Sequence, residues 1–334
     1  MLMRNLYKCI YCLQEKSVEE FNVEHVVPQA FGTYQENLTL HDNQVCKECN
    51  SAFSKEIEVK ITRNSYESVM RVSKGVKLKS DGEILSGSRI NIQGIDGIYK
   101  GLELKVVVDN NSQENISFEP YPSIGIRINE NPIEYQYFKP EDFPNYSATI
   151  RENTTGNKLQ IIAWSLTETE IRNLLDEKGY SSEISFSNSE LPTVPEYPFN
   201  TRINLHFDCI FNRLIAKTAF NYLIYNEGRE IALLPKFDPI RKFIRYGTPS
   251  DSIKINHLTE KDGDLSEEIN SHIVGLMWGD NSCRSLYGFV SWFNESSHKI
   301  CLSDKEDNIV RNLPLSKFNN DSKQITTIKK FFVI

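Results

Sequence analysis

The sequence predicts an α+β protein in which a small N-terminal module, residues 1–75, precedes a larger mixed α+β domain of residues 76–334 with antiparallel strands. Three features support this prediction: two CxxC pairs near the N-terminus, helical spacing of apolar residues after the second pair and again near residues 203–225, and short alternating strands between turn clusters from about residue 77. A length of 334 residues also agrees with two domains.

Composition and charge restrict the class of protein. Apolar residues make up 39% of the chain and charged residues 25%, as is ordinary for a globular protein in water, and no apolar run approaches the roughly 20 residues that a membrane-spanning helix needs. The N-terminus lacks an apolar stretch as long as a secretory signal, so we expect a cytoplasmic protein whose thiols stay reduced. The net charge of −7 excludes a uniformly basic surface, although a local basic patch would suffice for binding nucleic acid.

The two CxxC pairs predict a metal site. Cys9 and Cys12 form the first pair, and Cys46 and Cys49 form the second. In a reducing compartment two such pairs are typical of a tetrahedral zinc ion, because a two-residue gap lets both thiolates of a pair reach one ion. We therefore predict structural Zn²⁺ that joins the ends of a polar segment too short to form a core alone. The three cysteines outside these pairs are expected to be buried as small hydrophobic side chains: Cys209, Cys283 and Cys301.

The N-terminal module has a simple predicted order of elements. Residues 21–27 alternate as a strand that leads into a turn at Pro28, and residues 29–42 are expected to form a polar loop. The second CxxC pair then opens a helix, with apolar residues at helical spacing: Phe53, Ile57 and Ile61. The stretch from residue 55 to 79 carries basic side chains that either form a solvated face or contact phosphates: Lys55, Lys60, Arg63, Arg71, Lys74, Lys77 and Lys79.

Strands and helices follow one another in the larger domain. Strands are predicted where apolar residues alternate between turn clusters, at residues 88–92, 102–108, 116–118, 124–128, 159–164, 273–278, 286–293 and 299–302. Helices are predicted at residues 168–178, 203–225 and 238–246, the last ending at Gly247. Three polar residues share one side of the longest helix, where such a stripe is either solvated or in contact with nucleic acid: Arg213, Lys217 and Asn221.

A second set of residues in the module has the chemistry for phosphodiester hydrolysis. This reaction needs a base that deprotonates water and a cation that stabilises the leaving oxyanion. His25 suits the first role, since the ordinary pKa of histidine is about 6.5. Glu24 beside it and Asn50 at the start of the helix offer the oxygen ligands that a hard divalent ion prefers over thiolates. His41 lies in a polar stretch and is expected to be exposed.

These residues resemble the HNH endonucleases, in the branch that places its motif between two CxxC pairs. The resemblance rests on the run Glu24–Pro28 (EHVVP) and on Asn43–Asn50 (NQVCKECN), and it covers about residues 7–60, less than a fifth of the chain. It implies a ββα-metal fold, in which two strands and a helix hold one divalent ion. Two features depart from the commonest pattern: the acid is Glu and not Asp, and the third motif residue is Asn and not His.

The resemblance implies a role for each motif residue. His25 would be the general base that activates water, and Glu24 and Asn50 would ligate a catalytic Mg²⁺ or Mn²⁺ ion. Asn43 would hold the loop conformation that aims His25, although Asn37, followed by a leucine, fits this position nearly as well. Cleavage would leave 5′-phosphate and 3′-hydroxyl ends.

We therefore expect a metal-dependent endonuclease that hydrolyses DNA, with RNA as an alternative substrate and a prokaryotic defence role by analogy. Residues 76–334 would serve in targeting, regulation or dimerisation, as a homodimer interface or as the site for a protein partner. One alternative is a zinc-knuckle module that binds nucleic acid or a protein without catalysis, although such a module does not need the acid–histidine pair. Another is a nuclease whose larger domain senses a small signalling molecule.

Overall fold

The computed structural model describes residues 5–63, 65–77, 79–85, 89–112, 115–146, 160–180, 200–258, 270–279, 285–305 and 313–328. The chain divides into two compact units: Met1–Leu78 with Phe207–Ile334, and Lys79–His206. Helices and antiparallel sheets occur in both units, so the predicted α+β class is confirmed. No helix in the described part of the chain has both the length and the apolar character needed to cross a membrane.

The N-terminal part of the first unit holds two small hairpins followed by a helical stretch. Its elements are β1 (Leu6–Lys8), β2 (Glu15–Ser17), β3 (Phe21–His25), β4 (Thr39–Cys46), α1 (Lys47–Phe53), a π-helical turn (Ser54–Glu58), α2 (Val59–Ile61) and α3 (Tyr66–Ser73). β1 pairs with β2, and β3 pairs with β4, both in antiparallel register. Short 3₁₀ turns flank β3, at Val18–Glu20 and Gln29–Phe31.

β3, β4 and α1 together form the ββα arrangement that the resemblance implies. The two strands pair from Phe21 opposite Cys46 to His25 opposite Thr39. α1 begins at the residue after Cys46, because the second knuckle ends the strand and starts the helix. The apolar residues predicted at helical spacing are completely buried: Phe53, Ile57 and Ile61.

The prediction of a polar loop over residues 29–42 is wrong at the C-terminal end of that range. β4 begins at Thr39, and its first residues pair with the end of β3. Asp and Asn are depleted in strands, so local propensity at positions 42 and 43 favours a loop. Pairing with the neighbouring strand overrides that preference, and His41 is exposed as expected.

The second unit follows in the chain and contains two antiparallel sheets. Its elements are β5 (Ile84–Leu85), β6 (Ile90–Gly94), β7 (Glu103–Val108), β8 (Ile116–Pro120), β9 (Ser123–Glu130), β10 (Ile133–Phe138), β11 (Ile161–Trp164), α4 (Glu168–Glu177) and β12 (Thr201–Leu205). One sheet has the strand order β12–β6–β7–β5, with β8 also paired to β7, and the other has the order β10–β9–β11. α4 starts at a capping box in which Thr167 and Glu170 bond reciprocally, and its Leu175 packs in a small core with Ile124.

The C-terminal part of the first unit contains one long helix and a six-stranded antiparallel sheet. The helices are α5 (Cys209–Glu227), α6 (Arg229–Ala232) and α7 (Asp238–Tyr246). The strands are β13 (Ile255–Leu258), β14 (Ser271–Trp278), β15 (Leu286–Trp292), β16 (Ser296–Ser303), β17 (Leu315–Asn319) and β18 (Ile325–Ile328). Their order in the sheet is β13–β16–β15–β14–β17–β18. As predicted, α7 ends at Gly247, which adopts the left-handed conformation that glycine tolerates best.

α5 begins later in the chain than the sequence pattern predicts. The side chain of Asp208 accepts a hydrogen bond from the backbone N–H of Phe211 at 2.9 Å, which caps the helix so that it starts at Cys209. The predicted start at residue 203 is wrong, because Thr201–Leu205 pairs with β6 as strand β12.

α5 is buried on nearly every side and forms the centre of the first unit. One of its faces rests on the six-stranded sheet at Gly288 of β15. A Cβ atom at Gly288 would lie 2.3 Å from the Cβ atom of Ala219, so only glycine permits this close approach. The apolar residues of the helix are accordingly in the core: Phe211, Leu214, Ile215, Ala216, Ala219, Phe220, Tyr222, Leu223 and Ile224.

The residues that form the first unit do not follow the expected domain boundaries. The sequence pattern suggests one domain from residue 76 to 334, whereas residues 207–334 pack with the N-terminal module. The physical reason is the apolar surface of that module: Phe53 of α1 and Phe220 of α5 belong to one continuous core. A segment of this size buries too little surface to fold alone and gains its core from the returning chain.

The prediction of burial has different outcomes for the three cysteines outside the CxxC pairs. Cys301 is buried, as predicted. Cys209 is exposed, so the prediction of burial is wrong there, because it precedes the buried stretch of α5 that begins at Phe211. Cys283 lies outside the described residues.

Candidate active site and zinc site

The four motif cysteines lie together in the first unit. Their sulfur atoms all fall within 4.8 Å of one another, with Cys9 Sγ 3.9 Å from Cys49 Sγ and Cys12 Sγ 3.8 Å from Cys46 Sγ. A zinc ion about 2.3 Å from each of four thiolates separates the sulfur atoms by about 3.8 Å in a tetrahedral site. The cluster therefore has the ligand type, number and spacing of a structural zinc site, as predicted.

This candidate zinc site clamps the first hairpin to the start of α1. Cys9 and Cys12 lie in the turn between β1 and β2, whereas Cys46 ends β4 and Cys49 lies in the first turn of α1. The backbone N–H of Cys46 donates to Cys9 Sγ at 3.5 Å, which draws the two knuckles together. Burial raises the pKa of the Cys12 thiol to about 11, so this group needs a nearby cation to ionise at neutral pH.

His25 is the last residue of β3, and its imidazole is partly buried. Its Nε2 atom lies 3.1 Å from the carboxamide nitrogen of Gln29, in the 3₁₀ turn that follows the strand. Burial lowers the pKa of His25, and the charge of Lys217 lowers it further, while Glu58 raises it in part. The ring is therefore neutral at pH 7 and able to accept a proton.

Asn50 connects α1 to the strand that carries His25. Its Nδ2 atom donates to the backbone oxygen of Val23, two residues before His25, at 2.9 Å. The bond draws the carboxamide of Asn50 against β3, the strand that carries Glu24 and His25.

The two candidates for the middle motif residue have different surroundings. Oδ1 of Asn37 accepts a hydrogen bond from the backbone N–H of Tyr34 at 3.0 Å, which closes the turn before β4. Asn43 lies within β4 and is partly exposed. The bond of Asn37 is of the kind that holds a loop.

Glu24 points into the core of the first unit. Its side chain is only 6% exposed, and Oε1 accepts from Nζ of Lys217 at 2.5 Å and from Nδ2 of Asn221 at 3.4 Å. Burial raises the pKa of Glu24, and the positive charge of Lys217 opposes that rise. Two side chains of α5 thus hold the carboxylate of Glu24.

Lys217 lies between two carboxylates. Besides Glu24, its ammonium donates to Oε1 of Glu58 at 2.9 Å, and its side chain is completely buried. Burial alone would lower the pKa of Lys217, but the charges of Glu24 and Glu58 outweigh burial and raise it. Lys217 therefore stays protonated inside the protein.

Asn221, one helical turn further along α5, joins the same cluster to the backbone of His25. Its Nδ2 atom donates to the backbone oxygen of His25 at 3.0 Å. Its Oδ1 atom accepts from the hydroxyl of Tyr11, between the first two cysteines, at 2.5 Å. Asn221 thereby links the zinc knuckle, α5 and the end of β3.

The sequence pattern did not assign these helix residues to the site. Lys217 and Asn221 are fully buried and Arg213 nearly so, and the prediction that their stripe is solvated or in contact with nucleic acid is wrong. Arg213 instead donates to the backbone oxygens of Ile244 and Arg245. One signal was present: polar residues four apart on a helix that is apolar on its other sides require buried partners.

Part of the predicted basic stretch is available at the surface. Lys55, Lys60 and Arg63 are exposed on the helical stretch that follows Asn50 or just beyond it. Arg71 is buried, and its Nη1 atom donates to the backbone oxygen of Thr62 at 2.9 Å. The predicted solvated or phosphate-contacting role is therefore wrong for Arg71.

Comparison with known proteins agrees with this geometry over one segment. A family model described as HNH endonuclease matches residues 9–66. No curated protein and no solved structure matches the chain. The matched segment contains the four clustered cysteines with the residues of β3, β4 and α1, and it ends where α3 begins. The resemblance is therefore confirmed: residues 9–66 match the HNH endonuclease family model and contain the clustered cysteines.

Proposed function

We propose that this protein is a metal-dependent HNH endonuclease that hydrolyses the phosphodiester bonds of DNA. The observation that carries the proposal is the position of His25, a neutral imidazole at the end of β3 in a ββα module clamped by four cysteines. The family match of residues 9–66 supports the same class of reaction.

In this proposal His25 is the general base. The lowered pKa keeps its imidazole neutral at physiological pH, so that it can take a proton from the attacking water. Gln29, 3.1 Å from Nε2, restricts the rotation of the ring. The loop that aims His25 would be held by Asn43 or by Asn37, and Asn37 bonds to the turn before β4.

Glu24 and Asn50 would hold the catalytic Mg²⁺ or Mn²⁺ ion. Carboxylate and carboxamide oxygens are the donors that such hard ions prefer, whereas the four thiolates suit zinc. The side chains of Glu24 and Glu58 both pair with the ammonium of Lys217, so the cluster offers two acidic side chains to one basic one. When bound, the ion would stabilise the charge that develops on the leaving 3′ oxygen.

DNA is the proposed substrate, and RNA is the alternative. The exposed side chains of Lys55, Lys60 and Arg63 support contact with phosphates next to the motif helix. Binding through such a patch should weaken strongly as salt is added, because contacts with phosphates release counterions.

One observation favours a second candidate function, a zinc-knuckle module that binds nucleic acid or a protein without catalysis. Oε1 of Glu24 is already bonded to Lys217 and Asn221, as a purely structural acid would be. In that case Glu24 and His25 would contribute to stability alone.

We further propose, by analogy with nucleases that combine a small HNH module with a larger domain, that the protein serves prokaryotic defence. The residues beyond the matched segment would then target, regulate or dimerise the nuclease. Plating phage on cells that express the wild type or the His25→Ala variant tests this role: protection that depends on His25 supports it, and equal plaque numbers contradict it.

A cleavage assay tests the proposed activity. Wild-type protein should nick or linearise supercoiled plasmid with Mg²⁺ or Mn²⁺, and His25→Ala should lower the rate by about 100-fold or more. His41→Ala is the matched control, because His41 is exposed and lies in the adjacent strand. Equal cleavage by His25→Ala, or no cleavage by wild type with either ion, would contradict the proposal. Binding without turnover would favour the second candidate, and duplex and single-stranded RNA tested in parallel separate the two substrates.

A further inference from the structure

A buried polar cluster connects the HNH module to a helix far outside the family match. Lys217 and Asn221 belong to α5, whereas the match ends at residue 66. We propose that Lys217 and Asn221 are positioning residues of the candidate active site, which hold the carboxylate of Glu24 and the backbone of His25 in place. The nuclease centre would then be a composite of the HNH module and α5. This inference rests on the proposed function.

The first argument concerns the Glu24 carboxylate. A carboxylate that is only 6% exposed is costly to keep charged without a partner, and a carboxyl group binds a divalent ion in its ionised form. The ammonium of Lys217, 2.5 Å away, is that partner. Because Lys217 is completely buried, it cannot touch a substrate and acts through its neighbours, of which Glu24 and Glu58 are its ion-pair partners.

The second argument concerns the charge around Lys217. Its ammonium is shared between Glu24 at 2.5 Å and Glu58 at 2.9 Å, so neither carboxylate is fully neutralised. Glu58 ends the π-helical turn Ser54–Glu58, and such wide turns redirect side chains and are frequent at functional sites. The arrangement leaves Glu24 oriented by one cation and still able to bind another.

The third argument concerns the backbone that carries His25. Asn221 donates to the backbone oxygen of His25 at 3.0 Å and accepts from the hydroxyl of Tyr11 at 2.5 Å. Tyr11 lies between Cys9 and Cys12, so the bonds of Asn221 connect the zinc knuckle to the end of β3. A small displacement of a catalytic group lowers the reaction rate by a large factor. The hydrogen bonds of Asn221 that hold the backbone of His25 therefore bear on activity.

Binding of Mn²⁺ to the zinc-loaded full-length protein, followed by electron paramagnetic resonance, tests the proposal without relying on cleavage. Lys217→Met should weaken Mn²⁺ binding by about 10- to 100-fold, as is usual when a group that orients a metal ligand is removed. Lys217→Arg keeps the positive charge and should recover most of the affinity. Zinc content and thermal unfolding show whether each variant is folded.

A second pair of variants keeps the test valid if the fully buried Lys217 tolerates no substitution. Glu58→Gln removes the second carboxylate from Lys217 at a position that is 22% exposed, and it should weaken Mn²⁺ binding by about tenfold. Glu56→Gln is the matched control. Glu56 lies on the same π-helical turn but pairs with Arg213 at 3.4 Å, so the same loss of charge there should leave the affinity unchanged.

The outcomes separate this inference from the proposed function. Unchanged or tighter Mn²⁺ binding in folded Lys217→Met, or equal effects of Glu58→Gln and Glu56→Gln, would overturn the positioning role, because a merely structural ion pair affects stability alone. If wild type binds Mn²⁺, Glu24→Gln abolishes binding and Lys217→Met does not weaken it, this inference fails while the metal site stands. If wild type binds no Mn²⁺ and cleaves nothing, the proposed function fails as well.

Discussion

Phe31, in the turn that follows Pro28, stacks on Trp292 of β15, with ring centroids 4.6 Å apart and ring planes 9° apart. Both side chains are completely buried. The same turn carries Gln29, the neighbour of the His25 imidazole. The C-terminal sheet therefore supports the backbone that follows the candidate general base, although the two rings are far apart in the sequence.

The Phe31–Trp292 stack predicts a large loss of stability when Phe31 is truncated. Phe31→Ala removes a fully buried ring and should lower the free energy of unfolding by about 3–5 kcal/mol. Urea unfolding followed by tryptophan fluorescence measures this change. Val18→Ala, at a side chain that is 49% exposed, should stay within about 0.5 kcal/mol of wild type. A loss below about 1 kcal/mol for Phe31→Ala would show that the stack contributes little.

His272 predicts a dependence of stability on pH. It is fully buried, its Nε2 atom faces the backbone oxygen of Phe31 at 2.9 Å, and its Nδ1 atom accepts from the backbone N–H of Phe293 at 3.0 Å. Burial lowers the pKa of His272 to about 4, and the charge of Lys323 acts in the same direction. The usual pKa of histidine is about 6.5, so between about pH 6.5 and pH 4 the unfolded chain binds a proton at this histidine more readily than the folded protein does. Stability is therefore lost as the pH falls through this range.

The expected size of this effect is about 1.4 kcal/mol per pH unit within that window, or about 2 kcal/mol between pH 7.5 and pH 5. Urea unfolding of wild type and His272→Gln at both pH values measures it. The glutamine variant is less stable at pH 7.5 but should lose less on acidification, because it cannot take up the proton. Groups other than His272 are the same in both proteins, so their contributions cancel in the comparison. Equal losses in the two proteins would exclude His272 as the source.

The cysteine cluster predicts tightly bound zinc. Wild-type protein should contain a single zinc ion per chain, since the cluster offers four ligands to one ion. Cys46→Ser should lose the metal and unfold at a lower temperature, because this residue joins β4 to α1 beside the knuckle. Elemental analysis and thermal unfolding measure both effects. Cys209→Ser, at an exposed cysteine outside the cluster, should retain zinc and wild-type stability; metal-free wild type would contradict the assignment.

Gln29 predicts a modest effect on the rate of cleavage. Gln29→Ala removes the group 3.1 Å from Nε2 of His25 and should lower the rate by about tenfold, because the ring loses its preferred orientation. The change in plasmid cleavage is compared with that of Thr33→Ala, an exposed residue in the same loop that should cleave like wild type. Wild-type activity in Gln29→Ala would mean that the ring is oriented by other contacts.

Local spacing allowed much of the module to be predicted from the sequence. The two CxxC pairs, the strand before His25 and the helix after Cys46 follow from contacts over a few residues, and the structure contains the cluster, β3 and α1. β4 was the exception. Its polar residues favour a loop, and only pairing with β3 makes them a strand.

The surroundings of Glu24 were beyond the reach of sequence patterns. Its bond to Lys217 spans 193 residues, and a polar stripe on a helix has the same pattern whether it faces solvent or a buried carboxylate. The distinction depends on what covers the helix, which is decided by the packing of α5 against both the module and the sheet.

The chemical groups of the candidate site follow from the order of residues alone: four thiolates spaced for zinc, an acid–histidine pair, and an asparagine on the following helix. Short-range geometry fixes such relationships, since spacing along a turn or a helix translates directly into distance. The tertiary structure alone decided that the chain leaves the module after residue 78, returns at residue 207, and places α5 beneath β3. These outcomes depend on which apolar surfaces meet, and that is a property of the whole folded unit.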